Sequence, residues 1–183
     1  MTNIIEYMES INSEIQRGTK TIDDNELNDI LEKIHHSERI FLSGAGRSSL
    51  VINAFANRLV HLGKSVYIVG DTVTPSIEKN DLLIIGSGSG ETGSLVNFAQ
   101  SSKNLGAYII VNTTAANSSL GKLADRKIVI DVANKDKEGF SQQPMASLFE
   151  QLSLLLYDAI IMKYIDTYGV DHQTMRKKHS NLE

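Results

Sequence analysis

Residues 82–92 read Leu-Leu-Ile-Ile-Gly-Ser-Gly-Ser-Gly-Glu-Thr, an apolar run that ends abruptly in glycine, hydroxyl and acid. The run Leu82 to Ile85 predicts a buried β-strand, and the glycine-rich turn after it feeds a helix predicted from Glu91 to Leu105. A turn of this kind leaves several backbone N–H groups without intrahelical partners and aimed at one point. A phosphate fits there. The helix dipole contributes about half a positive charge at that end, and the hydroxyls of Ser87, Ser89 and Thr92 can donate further bonds. A nucleoside-triphosphate loop needs Gly-x4-Gly-Lys-Ser/Thr, whereas these glycines lead into Glu91, so that reading fails at its charge-neutralising position. The expected ligand is a phosphorylated small molecule held by amides and alcohols, the alternative being a tight strand-to-helix turn that holds no ligand.

Outward from this stretch the pattern repeats. Ile40 to Leu42, Val66 to Val69, Tyr108 to Val111 and Ile128 to Ile130 are short apolar runs of the same kind. With Leu82 to Ile85 they predict five strands, and their continuous apolar character means strands covered on both faces. Ser48 to Leu62, Glu91 to Leu105 and Ser118 to Ala124 are the crossovers between them. The expected fold class is α/β: a three-layer αβα sandwich around a five-stranded parallel sheet, doubly wound, with N-terminal and C-terminal helices. Asn3 to Gln16 and Asp23 to His36 predict the leading helices, the first with Ile4, Met8, Ile11 and Ile15 on one stripe suited to a partner subunit. Ala133 to Gln143 is polar, and Pro144 then suits the first turn of a long helix reaching about Ile165, its apolar stripe widened by Leu154 and Ile161. That helix is expected to be buried on two sides. No repeat or linker interrupts the chain. One domain over 1–183 is expected, with N-terminal helices in 1–36, the sheet core and its crossovers in 37–166, and a C-terminal helix and tail in 167–183.

Composition narrows the function. With 183 residues, 41% hydrophobic and 22% charged, the chain suits one globular domain with a sizeable core. Its net charge of -4 offers no broad cationic surface, which argues against nucleic acid as a partner. No cysteine is present, so thiol catalysis and zinc–thiolate sites are excluded and a reducing compartment, the cytoplasm, is expected. Met1 to Arg17 is polar throughout and unlike a signal peptide, and the run Leu152 to Met162 is broken by Asp158 and falls short of the roughly 20 residues that cross a bilayer. No membrane association is expected.

A second glycine loop, Ser43-Gly44-Ala45-Gly46-Arg47-Ser48-Ser49, follows the first strand. It lacks the third glycine of a dinucleotide fingerprint, although Asp71 is placed like a ribose-binding acid. Arg47, at a predicted helix start, is better placed to face a substrate oxygen or phosphate. Expected substrate contacts are therefore Ser43, Gly44, Gly46, Arg47 and Ser48 from this loop and Ser87, Gly88, Ser89, Gly90, Glu91 and Thr92 from the other. The charge of Glu91 would repel a phosphate dianion, so it is expected to turn toward sugar hydroxyls, a neighbouring subunit or Arg47. His61 at a helix end needs no function to explain it. His35, His36 and His172 have no partner legible in the sequence, and no His/Asp/Glu cluster has metal-ligand spacing. No metal is expected.

The two loops in this order resemble the sugar isomerase (SIS) family, which binds phosphosugars at the carboxyl ends of a five-stranded parallel sheet. Within it the chain is similar to the 6-phospho-3-hexuloisomerases. That resemblance rests on Gly44-Ala45-Gly46-Arg47-Ser48, Phe55-Ala56, Arg58-Leu59, His61-Leu62-Gly63, Thr74-Pro75, Ser87 to Thr92, Gln143-Pro144-Met145, Leu148-Phe149-Glu150 and the terminal His179-Ser180-Asn181-Leu182-Glu183. It covers nearly the whole chain. Ser49, Ala146 and Ser180 stand where glycine, glycine and alanine are usual. The resemblance implies isomerisation of D-arabino-hex-3-ulose 6-phosphate to D-fructose 6-phosphate in the ribulose monophosphate route of formaldehyde fixation, a homotetramer, and no cofactor.

Moving a ketone from carbon 3 to carbon 2 removes a proton from carbon 2 and returns one to carbon 3 through an enediol or enediolate. One base can serve both carbons, and a partly buried glutamate beside the ketose suits the task. Glu150, following Leu148 and Phe149 in an apolar helix, is the expected catalytic base, with His179 as a second catalytic candidate that shuttles protons or polarises the carbonyl. Ring opening is unnecessary for the hexulose, because a ketone at carbon 3 with oxygen 6 esterified closes no five- or six-membered hemiketal. Two other readings stay open: an isomerase of arabinose 5-phosphate or sedoheptulose 7-phosphate, and a phosphosugar-sensing module without chemistry. A sensor needs neither Glu150 nor the terminal segment.

Overall fold

A computed structural model describes residues 3–132, 141–179 and 181. Each strand alternates its side chains between the two faces of one sheet, and this alternation explains the continuous apolar runs. Ile40, Leu42, Leu82, Ile84, Ile110 and Ile128 enter one hydrophobic core, while Phe41, Leu83, Ile85, Ile109 and Val111 enter another. The strands are β1 (Arg39–Gly44), β2 (Ser65–Ile68), β3 (Leu82–Gly86), β4 (Tyr108–Thr113) and β5 (Arg126–Val129). They pair in parallel in the order β2-β1-β3-β4-β5, with Gly44 opposite Gly86 and Gly86 opposite Asn112.

Helices cover both faces. Before β1 come α1 (Ile4–Thr19) and α2 (Asn25–His36); the crossovers are α3 (Arg47–His61), α4 (Gly93–Asn104) and α5 (Ser119–Leu123); α6 (Ser147–Tyr168) and α7 (His172–Lys177) follow β5. Helices α2, α3 and α6 supply the first core through residues such as Ile30, Ile34, Ile52, Leu59, Leu152 and Tyr164. On the other face α4 and α5 supply Leu95, Ala99 and Leu120. The expected doubly wound sandwich is the fold observed. Among the described residues, no helix is long and apolar enough to cross a membrane.

Among the boundaries that differ from the sequence reading, three bear on local geometry. Helix α1 starts behind a capping box, the Asn3 side chain accepting from the Glu6 amide and the Asn3 amide donating to the Glu6 carboxylate, both at 3.0 Å, and it runs on to Thr19. Glu91 and Thr92 stay outside α4, with Thr92 as its N-cap. Pro144 does not open the long helix. It lies in a separate 3-10 turn, Pro144–Ala146, broken from α6 by Met145 at φ 56° and ψ 41°. The expectation that α6 is buried on two sides holds only in part: Ile161 is buried, but Leu154, Leu155 and Met162 are exposed.

Candidate active site

In a sheet of order 2-1-3-4-5, β1 leads to a crossover on one face and β3 to a crossover on the other. A crevice therefore opens between their carboxyl ends. Both glycine loops lie there. Gly44 lets the first turn of α3 press against β1, since a Cβ at that position would stand 2.9 Å from the Ser49 amide nitrogen. Gly46 then caps α3 at φ 57°, a backbone conformation open mainly to glycine. From β3, Ser87 to Thr92 lead to the N-terminus of α4. Neither Gly46 nor Thr92 makes a side-chain capping bond; the Ser49 amide turns back to the Gly46 carbonyl at 3.0 Å, and the amides of Arg47 and Ser48 on α3 and of Gly93, Ser94 and Leu95 on α4 are left to a ligand.

Between the loops is a cavity of about 350 Å³. Gly46, Arg47 and Ser48 line it at the head of α3, Ser87, Gly88, Ser89 and Thr92 from the other loop, Met145 from the turn before α6, and Phe149 and Glu150 from the first turn of α6. The loop conformation is pinned from behind. The Gly88 carbonyl accepts from the Thr114 amide at 3.1 Å and from the hydroxyls of Thr113 and Thr114 at 3.1 and 2.9 Å. The Gly90 and Glu91 amides donate to the Ser87 and Ser89 hydroxyls at 3.2 and 3.3 Å. Accepting in this way leaves each hydroxyl proton free to donate into the cavity. Among the described residues, the amides of Gly88, Ser89 and Thr92 donate to no protein acceptor.

Across the cavity the Arg47 Nε donates to Glu150 Oε2. The pair is asymmetric: the Arg47 side chain is 61% exposed and that of Glu150 only 10%. An acid buried at the head of an apolar helix, one guanidinium, and a cradle of amides and hydroxyls thus share one crevice.

A model of the SIS domain matches residues 33–162. The chain belongs to the SIS domain family. It is 42% identical to the 3-hexulose-6-phosphate isomerase of Bacillus subtilis (strain 168), over 97% of this chain and 98% of that one. It is 35% identical to the protein of the same name from Mycobacterium gastri, over 99% and 92%. Among solved structures, a Methanococcus jannaschii protein for which a molecular function of 3-hexulose-6-phosphate isomerase was inferred superposes with a TM-score of 0.85 at 33% identity, covering 97% of this chain and 99% of the other.

This SIS domain brings together Gly46, Arg47, Ser48, Ser87, Gly88, Ser89, Thr92 and Glu150 of the expected site residues. The others lie elsewhere. Ser43 is buried in β1, Gly44 serves the approach of α3, and Gly90, at φ 67°, packs so closely on Ser118 that a Cβ would lie 2.0 Å from its hydroxyl. Glu91 faces neither the cavity nor Arg47. Its Oε1 accepts from the Ser119 amide at 2.8 Å, capping α5, and hydrogen bonding from Ser119 holds its carboxyl below the usual range. His179 stacks on His61 with ring centroids 5.0 Å apart, in a groove lined also by Arg58, Met175 and Lys177.

Two groups escaped the sequence reading. Met145 and Phe149 line the cavity; the sequence showed them in an apolar stripe and in the motifs Gln143-Pro144-Met145 and Leu148-Phe149-Glu150, without a place in the site. Beneath Glu150, the Asn112 side chain donates to the hydroxyls of Ser153 and Tyr157, both at 2.9 Å. Burial pushes the Tyr157 phenol up to about 12, the bond from Asn112 pulling the other way. A tyrosine in the apolar stripe and an asparagine ending an apolar strand were the available signals.

Proposed function

We propose that this SIS domain is a keto-keto sugar phosphate isomerase, interconverting D-arabino-hex-3-ulose 6-phosphate and D-fructose 6-phosphate as in the ribulose monophosphate route. The observation that carries this reading is similarity across nearly the whole chain to proteins named 3-hexulose-6-phosphate isomerase. The site chemistry supports it. Amides at the N-termini of α3 and α4, with the hydroxyls of Ser87 and Ser89, bind the phosphate. The ketose carbons then lie toward Glu150. Its carboxylate takes the proton from carbon 2; the C–H electron pair becomes the C2=C3 double bond, and the carbonyl pair moves onto oxygen 3. The hydroxyl proton on oxygen 2 passes to oxygen 3, and collapse from oxygen 2 then forms the new ketone while the C2=C3 electron pair takes the proton back from Glu150 at carbon 3.

His179 lies outside the cavity of its own chain, so it enters catalysis only if another copy supplies it. A homotetramer is the assembly we propose, supported by Ile4, Ile5, Tyr7 and Met8 on α1, all more than half exposed. The lack of cysteine suits a cytoplasmic location. The test is incubation with fructose 6-phosphate in deuterium oxide. Deuterium at carbon 3 together with hex-3-ulose 6-phosphate is expected; exchange without any 3-ketose would assign the fold to another isomerisation.

A further inference from the structure

The pairing of Arg47 with Glu150 sets two tasks against each other. The carboxylate needs an oxygen turned toward the carbon-bound proton, yet the guanidinium holds its Oε2. Arg47 sits on the first residue of α3 and its side chain is 61% exposed, so it can reorient without disturbing the core. Glu150 cannot follow it, because its side chain is 10% exposed and rooted in α6 between Phe149 and Leu152. Both face the cavity that the Ser87 to Thr92 loop lines.

A phosphate dianion seated on the loop amides would offer Arg47 more than Glu150 does. It carries up to two negative charges against one and matches the planar fork of the guanidinium with paired oxygens. Glu150, left in place, would then face the ketose with its oxygen uncovered. We propose that Arg47 is a phosphate-operated latch: it covers Glu150 in the structure seen here and exchanges that acid for the substrate's phosphoryl group, so that binding the remote end of the sugar releases the base. This rests on the isomerase reading above and deepens it. Part of the phosphate's binding free energy is thereby expressed in turnover rather than in affinity alone, as expected when remote groups drive a change at the reacting centre. No net proton or electron enters: Glu150 abstracts from carbon 2 and returns to carbon 3, while Arg47 changes only its anion.

The substrate can be supplied in pieces. L-Erythrulose keeps the first four carbons of the ketose with the same configuration at carbon 3 and carries no phosphate; phosphite dianion supplies the missing charge. Deuterium uptake at carbon 3 of L-erythrulose in deuterium oxide reads the freedom of the base. With the wild-type protein, saturating phosphite is expected to speed this uptake about tenfold, equivalent to ~1.4 kcal/mol. In Arg47→Ala, uptake without phosphite is expected to exceed the wild-type rate, and phosphite to accelerate it less than about twofold. Circular dichroism checks that this exposed substitution leaves the fold intact. Phosphite acceleration of equal size in Arg47→Ala would overturn the latch, as would its absence in the wild type or phosphite-free uptake no faster in the variant than in the wild type. Failure of the latch and failure of the isomerase reading are separable. A wild-type protein that makes hex-3-ulose 6-phosphate from fructose 6-phosphate but shows none of the fragment behaviour loses only the latch, whereas one that makes no 3-ketose loses the reaction itself.

Discussion

At the residue scale, the proposed roles divide into holding a phosphate and moving a proton, and substitutions separate them. Glu150→Gln keeps the size and hydrogen-bonding capacity of the side chain but removes its basicity. Fructose 6-phosphate should still bind, while turnover falls at least about 100-fold, the lower range for a proton-transfer group; isothermal titration and a coupled assay measure the two. Replacing Ser87 and Ser89 together by alanine removes two donors to the phosphate and also the acceptors of the Gly90 and Glu91 amides. Affinity for fructose 6-phosphate should fall by about 1–3 kcal/mol, whereas affinity for unphosphorylated fructose should not change. The sequence made these residues visible individually, because glycine, hydroxyl and acid interrupt apolar runs where packing does not call for them. It did not show that Arg47 meets Glu150 across 103 positions, nor that Glu91 caps α5. Both contacts depend on how elements cross, and an exposed carboxylate takes whichever donor the fold brings within reach.

At the scale of elements, the turn before α6 is held from a distance. Glu14, buried on α1, accepts from the Ser141 hydroxyl at 2.5 Å, the Gln142 amide at 2.8 Å and the Gln143 side chain at 2.9 Å. Burial raises its pKa, but these bonds, with Arg17 nearby, outweigh that and hold the carboxyl below its ordinary value of 4.5. A depressed folded-state value means stability that is fully present above pH 4.5 and lost as the pH falls through the folded value. Glu14→Gln should therefore melt at a lower temperature at pH 7 and lose less on acidification than the wild type, as thermal unfolding between pH 7 and pH 3 will report. The segment tied by Glu14 runs directly into Pro144 and Met145, which borders the cavity. Proline at the head of an apolar stripe pointed to a helix start at Pro144. The left-handed backbone at Met145, φ 56° and ψ 41°, was not legible, since nothing in a methionine favours it.

For the whole molecule, the decisive feature is the order β2-β1-β3-β4-β5, which opens a crevice between β1 and β3 and feeds it with two helix N-termini. A monomer leaves Ile4, Ile5, Tyr7 and Met8 exposed, a patch that the proposed tetramer would cover. The double substitution Tyr7→Glu with Met8→Glu should split the assembly into smaller species by light scattering, without loss of helical signal. By itself the sequence determined the fold class, the strands and the two glycine loops at their carboxyl ends, because strand burial and glycine turns are consequences of local chemistry. Only the tertiary structure decided which loop residues face the cavity, that Arg47 covers Glu150, and that His179 lies against His61. Those outcomes depend on contacts between segments far apart in the chain, whose geometry is set by packing the whole sheet and its helices at once.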